Sequence, residues 1–272
     1  MNRPGVDTAF AGNIPQFYER YLVPLIFAPY AVDLASRAAG FQPSRVLEIA
    51  AGTGVVTRQL ASLLPTDASI TATDLNQPML DQAAAIGTSR PVEWRQADAM
   101  QLPFADQAFD VVVCQFGAMF FPDKAHAFRE ARRVLRPGGR FIFNVWDRIE
   151  ENEFAALVTR SLEAIFPADP PRFLARTPHG YHDPAVVAQD LAHGGFPHPP
   201  DVVALSARSR ADSARIPALA YCQGTPLRGE IEARDASRLS EATDVAAAAI
   251  SSRFGAGPVD GKIQAWVFSI EH

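Results

Sequence analysis

The sequence predicts an α/β protein with a doubly wound, mainly parallel sheet, and three observations carry that reading. Between Arg45 and Trp146, short β-branched or apolar runs alternate with stretches whose apolar residues fall three and four apart. The run Phe109-Asp110-Val111-Val112-Val113-Cys114 is apolar on both faces, as an interior parallel strand requires. Strands that alternate with helices imply right-handed crossovers, with helices covering both faces of the sheet.

In chain order, residues 14–39 read as one or two helices broken near Pro24 and Pro29. Strands are expected over 45–49, 69–73, 92–96, 109–114 and 140–145, and helices over 54–64, 77–86 and 123–135. Arg136-Pro137-Gly138-Gly139 should stop the last of these helices and turn the chain. Further on, 153–166 reads as a helix and 169–176 as a proline-rich loop. Asp183-Pro184 caps a helix that Gly194-Gly195 closes. A strand over 202–207, a long alanine-rich helix over 235–254 and a final strand over 262–270 complete the chain. With no repeat and no free linker, the expectation is a single domain, 1–272. It divides into N-terminal helices (1–44), a core (45–148), a helical insertion (149–258) and the final strand (259–272).

The 272 residues are 48% hydrophobic and 20% charged, the profile of an ordinary globular protein with room for a sizeable core. A net charge of -5 argues against a nucleic-acid surface, which needs a basic face. The densest basic group, Arg129, Arg132, Arg133 and Arg136, has helical spacing and reads as a solvated face. Cys114 and Cys222 lie far apart without metal-ligand spacing. They fit reduced thiols in a cytoplasmic protein better than a disulfide, and no metal is expected. The most apolar early stretch, 22–32, is interrupted by prolines and too short to span a bilayer, and no secretory pattern precedes it. The expectation is a cytoplasmic monomer or homodimer without membrane insertion.

Ligands of such a sheet bind at the carboxyl ends of its strands. The first such end is Glu48-Ile49-Ala50-Ala51-Gly52-Thr53-Gly54, where small residues let the backbone pass close to a ligand. A dinucleotide pattern G-x-G-x-x-G laid on Ala50, Gly52 and Val55 finds one glycine in three. An acidic-x-G-x-G-x-G pattern laid on Glu48, Ala50, Gly52 and Gly54 finds three of four, with alanine for the first glycine. A Gly-Lys-Ser/Thr ending for a nucleoside triphosphate is missing. Asp74 ends the second strand, where a carboxylate accepts from ribose hydroxyls. Asp98 follows the third, where one accepts from the adenine amine.

Two longer runs carry a family resemblance: Leu102-Pro103-Phe104-Ala105-Asp106-Gln107-Ala108-Phe109-Asp110-Val111-Val112, and Ala131-Arg132-Arg133-Val134-Leu135-Arg136-Pro137-Gly138-Gly139. With the loop, they resemble class I S-adenosylmethionine (SAM)-dependent methyltransferases, most of all the ubiquinone/menaquinone C-methyltransferase-like, small-molecule branch. The similarity covers about residues 40 to 147. It implies a Rossmann-like, seven-stranded sheet whose last strand is antiparallel. It further implies that Glu48 approaches the methionine amino group through water or the loop backbone. Ala50, Gly52 and Gly54 would surround the methionine and ribose, and Asp74 would hold the ribose. Leu75 and Met79 would flank adenine, Asp98 and Ala99 would bind its edge, and Gln115 would line the methionine end. Ala50 departs from the family's glycine.

Methyl transfer from a sulfonium is an in-line displacement on activated carbon, so alignment and exclusion of water carry much of the catalysis. A general base is needed only when the acceptor must lose a proton, and the sequence singles out no catalytic residue. The fourth strand runs into Cys114-Gln115-Phe116-Gly117-Ala118-Met119, not Asn/Asp-Pro-Pro-Tyr/Phe, which argues against an adenine or glutamine-amide acceptor. Phe116, Met119, Phe120 and Phe121 read as an apolar pocket wall or as core. His179, Tyr181 and His182 in the insertion could face a small-molecule acceptor, with His182 the candidate base. Tyr18 and Tyr21 could close over the cofactor. The turn 222–226 looks fixed without evident chemistry. The rival readings are a non-catalytic SAM-binding sensor and an NAD(P)-dependent oxidoreductase.

Overall fold

In the computed structural model, which describes Gly12 and residues 14–272, the apolar runs pair into one seven-stranded sheet. The strands are β1 (Arg45–Ile49), β2 (Ser69–Asp74), β3 (Glu93–Gln96), β4 (Phe109–Gln115), β5 (Leu135–Trp146), β6 (Asp201–Ala211) and β7 (Val259–Glu271). Their order is β3-β2-β1-β4-β5-β7-β6, with β1 to β5 parallel and β7 antiparallel to both of its neighbours. All seven residues of β4 are buried, because helices cover both of its faces. The order reverses between β1 and β4, so the crevice at the carboxyl ends opens beside the loop that follows β1.

The helices between strands match the apolar spacing: α3 (Val55–Leu63), α4 (Gln77–Ile86) and α5 (Lys124–Val134), the last capped by Asp123. The amino-terminal region differs from expectation. α1 (Ile14–Phe17), a π-helical stretch (Tyr18–Phe27) and α2 (Ala28–Ala39) run on as one helix. Pro24 is exposed in the π-helical stretch, whose wider turn accommodates its missing N–H. Pro29 is exposed where the π-helical stretch passes into α2, and the change of pitch there accommodates its missing N–H. The continuous 26 residues are long and apolar enough to cross a membrane by length and composition, unlike the shorter stretch read from the sequence. In the fold, Leu22, Leu25, Tyr30 and Leu34 of this helix are buried in the core.

Arg136-Pro137-Gly138-Gly139 does not separate helix from strand. It forms a bulge inside β5, between the Phe109–Leu135 and Val111–Arg140 pairs, with Gly138 at φ 75°. The arginines near it are not simply solvated: Arg136 pairs with buried Asp110, and Arg133 spans Glu130 and Asp106. Asp110 also accepts from the backbone N–H groups of Ser44 and Arg45, tying the start of β1 to β4.

After β5 come α6 (Glu153–Ile165), α7 (Phe173–Arg176), α8 (Pro184–His193), α9 (Arg215–Gln223), α10 (Leu227–Asp235) and α11 (Leu239–Phe254). The short helix α7 occupies part of the expected proline-rich loop, and α9 and α10 were not expected. The region before the last strand is not wholly helical, since it contains β6, a largely exposed edge strand of the main sheet. α9 packs against the π-helical stretch, and α6 and α11 pack against each other and against β7.

Candidate functional site

A cavity of about 450 Å³ opens at the carboxyl ends of β1, β2 and β4, with the π-helical stretch, α7 and α9 around its other side. Its floor is the loop after β1. Ala50, Gly52 and Gly54 have φ values of 56°, 57° and 81°, so all three small positions of the acidic-x-G-x-G-x-G spacing take left-handed backbone. That alternation explains why small residues recur at every second position. Two backbone hydrogen bonds fix the loop, from Ala51 N to Thr73 O and from Gly54 N to Ala51 O, both 2.9 Å.

Asp74 joins the loop to the end of β2. Its Oδ2 accepts from Gly52 N at 2.9 Å and its Oδ1 from Asn76 N at 2.8 Å, while burial raises its pKa above the usual carboxylate value. Ala97 N donates to Asp74 O, placing the end of β3 alongside. Asp98 is exposed on the cavity rim, with Oδ1 accepting from Met100 N. Ala50, Gly52, Asp74, Leu75, Met79, Asp98, Ala99 and Gln115 all line this one cavity. Gln115 Nε2 reaches Phe27 O at 3.4 Å, and its buried Oε1 has no partner among the described residues.

Glu48 and Gly54 stand apart from the lining. Glu48 points beneath the loop, where it accepts from Thr57 Oγ1 at 2.5 Å, and burial pushes its carboxyl up to about 8. Gly54 precedes α3, and a Cβ there would fall 2.9 Å from Trp94. Neither residue lines the cavity; both sit against the loop, Glu48 through Thr57 of α3 and Gly54 through its packing on Trp94.

The remaining wall is mostly apolar. Phe116, Phe120 and Phe121 line it, whereas Met119 is core; Phe116 stacks on Trp146 with centroids 3.8 Å apart and planes 5° off parallel. His179 lines the cavity, but Tyr181 and His182 do not: Tyr181 bonds Asp190 and His182 bonds the backbone of His179. Tyr18 faces the cavity and Tyr21 does not. The turn after α9 has a role, since Thr225 and Pro226 line the cavity while Thr225 Oγ1 bonds Tyr221 O. Leu22, Ile26, Phe27, Trp146, Phe173, Leu174 and Tyr221 also belong to the wall and were not singled out from the sequence. The i, i+4, i+8 spacing of Tyr18, Leu22 and Ile26 is the one signal that could have found some of them.

A doubly wound sheet with β7 antiparallel, a left-handed small-residue loop after β1 and acids after β2 and β3 form the arrangement that the resemblance to class I SAM-dependent methyltransferases implies. Comparison with known proteins agrees: residues 47–143 match the family model described as a methyltransferase domain. The ubiquinone/menaquinone biosynthesis C-methyltransferase UbiE of Pseudomonas fluorescens is 39% identical over 117 residues, 42% of this chain and 44% of that protein. Its counterpart in Pseudomonas aeruginosa strain LESB58 is 38% identical over 141 residues, half of each chain. The chain thus spans about half the length of the curated relatives it matches. Two solved structures share the fold. A Haemonchus contortus phosphoethanolamine N-methyltransferase 2 bound to S-adenosylhomocysteine has a TM-score of 0.59 at 16% identity, over 98% of this chain and 59% of that one. The YcgJ protein of Bacillus subtilis has a TM-score of 0.56 at 18% identity, over 90% and 99%.

Proposed function

We propose that this chain transfers a methyl group from SAM to a small-molecule acceptor. The observation that carries the proposal is a single cavity with two characters. One end gathers Asp74, Asp98 and the unpartnered Gln115 Oε1 around the loop, and the other is walled by aromatic rings. The orphaned Oε1 fits an ammonium donor, as the methionine part of SAM supplies. Asp74 would hold the ribose, Leu75 and Met79 would flank adenine, and Asp98 and Ala99 would take its edge. Ala50 and Gly52 would pass close to the ribose and methionine. When bound, SAM supplies the activated methyl group.

The chain's own residues align the acceptor and exclude water through Phe116, Phe120, Trp146 and the helices of residues 149–258, which we read as the acceptor cover of a single domain. A cytoplasmic location goes with this reading, as both cysteines are buried and unbridged.

Calorimetric titration with S-adenosylhomocysteine and with NADH tests the cofactor. Tight binding of the first is expected, and binding of NADH alone overturns the reading. Asp74→Ala should weaken S-adenosylhomocysteine by roughly 1.5–3 kcal/mol through loss of charged hydrogen bonds, and an unchanged affinity removes Asp74 from the site.

A further inference from the structure

We infer that His179 binds the acceptor through its hydroxyl group and takes the hydroxyl proton during methyl transfer, so the acceptor is a hydroxyl compound with an apolar body. The inference rests on the methyltransferase reading above and names what that site accepts.

Three observations converge on the imidazole. His179 lies between α7 and α8, is buried, and lines the acceptor end of the cavity. Its backbone is pinned by His179 N donating to Leu174 O at 3.0 Å. Its Nδ1 is 2.8 Å from Asp147 O, and because a carbonyl only accepts, Nδ1 carries the hydrogen. The lone pair is therefore on Nε2, which has no hydrogen-bond partner among the described residues. A fixed tautomer with an unoccupied acceptor atom, set among aromatic rings, is suited to receive one donor from a ligand.

The other polar side chains at this end do not compete for the role, beginning with Thr177, whose Oγ1 accepts from Arg176 Nη1 at 3.2 Å. Asn152 Nδ2 is directed at the carbonyls of Asp147, Arg148 and Gln264, and its Oδ1 accepts from Gln264 N. Thr225 Oγ1 is engaged by Tyr221 O and Leu227 N. Burial raises the Tyr221 phenol far above its ordinary value, which leaves it a donor.

Chemistry selects a hydroxyl over an amine. Burial pulls the imidazole down to about 4, so it is neutral near pH 7 and a weak base. An ammonium group has no lone pair with which to attack, and the residues lining this end of the cavity carry no carboxylate to balance its charge. A hydroxyl keeps its proton until its oxygen begins to bond carbon, when the forming oxonium becomes strongly acidic. In the step, an oxygen lone pair forms the new O–CH3 bond. The S–CH3 bond breaks, leaving its electron pair on sulfur as a neutral thioether, and the hydroxyl proton passes to Nε2. The imidazolium then returns the proton to solvent as the ether leaves.

The test uses 1-naphthol and 1-methoxynaphthalene as probes of the full chain saturated with S-adenosylhomocysteine, whose own binding is measured first. Naphthol should bind at least about tenfold tighter than its ether, the worth of one buried hydrogen bond. His179→Asn keeps a donor near Asp147 O and lacks Nε2, so it should bind S-adenosylhomocysteine normally and lose the preference. In the unaltered protein, 15N NMR should show an unprotonated Nε2 whose resonance shifts with naphthol and not with the ether, which decides the matter even if the variant misfolds. Equal affinity for the two probes, no naphthol binding, or a retained preference in His179→Asn overturns the inference. Failure of the unaltered chain to bind S-adenosylhomocysteine defeats the methyltransferase reading instead.

Discussion

Ala50 is an alanine where the family pattern has glycine, and its left-handed backbone, φ 56°, costs about 1 kcal/mol relative to glycine. The methyl is accommodated by a glycine elsewhere: a Cβ built on Gly117 would fall 2.5 Å from Ala50 Cβ and 2.7 Å from Cys114 Sγ. Two loops, one after β1 and one after β4, are thereby matched in size across the floor of the cavity. Gly117→Ala should push the loop after β1 aside, costing about 1–3 kcal/mol of stability by overpacking and weakening S-adenosylhomocysteine. Adding Ala50→Gly should recover part of both losses, and only part, because Cys114 Sγ still crowds the new methyl. Denaturant unfolding of the four-member cycle reads the coupling, expected above about 0.5 kcal/mol. Strict additivity would refute the matched pair.

Among elements, the two sequence runs that carry the family resemblance meet through one side chain. Arg133 on α5 donates to Leu102 O at 2.9 Å, to Phe104 O at 2.8 Å and to Asp106 Oδ1 at 2.8 Å, while Glu130 Oε2 accepts from Leu102 N. α5 thus grips the segment that follows Asp98 and Ala99, two residues of the cavity lining. Arg133→Met keeps the aliphatic stem and removes the grip. Stability should fall by about 1–2 kcal/mol, and S-adenosylhomocysteine affinity should fall with it. Normal affinity in a destabilised variant would show that the segment holds its shape unaided. These runs were readable because each residue type answers a local demand: apolar on both faces in β4, small at the three left-handed loop positions, a capping Asp123 before α5. α9 and α10 were not readable, because Arg215–Gln223 is apolar at nearly every position with an early Pro217 and Leu227–Asp235 is mostly polar, giving little apolar contrast. The aromatic wall of the cavity was hidden for another reason. Phe27, Trp146, Phe173 and Tyr221 belong to four separate elements, so only tertiary packing brings them together.

At the scale of the whole molecule, two buried groups tilt stability against pH in opposite directions. His179 falls from 6.5 to about 4 in the fold, so the unfolded chain binds the extra proton in acid. Its contribution is full above pH 6.5 and is lost as pH drops toward 4, by roughly 3 kcal/mol in all. Glu48 rises from 4.5 to about 8, so here the folded chain holds the extra proton. That contribution is full below pH 4.5 and is lost progressively as pH climbs through 8, with about 1–2 kcal/mol of the loss between pH 7 and 9. Glu48→Gln keeps a polar partner for Thr57 Oγ1 and cannot ionise. It should flatten the alkaline limb, raising stability at pH 9 relative to the parent while leaving the acid limb of His179 unchanged. Unfolding free energies measured across pH 4 to 9 separate the two limbs. A parent whose stability does not decline between pH 7 and 9, or a Glu48→Gln variant that declines as steeply, would show that the Glu48 carboxyl is already ionised beneath the loop at neutral pH.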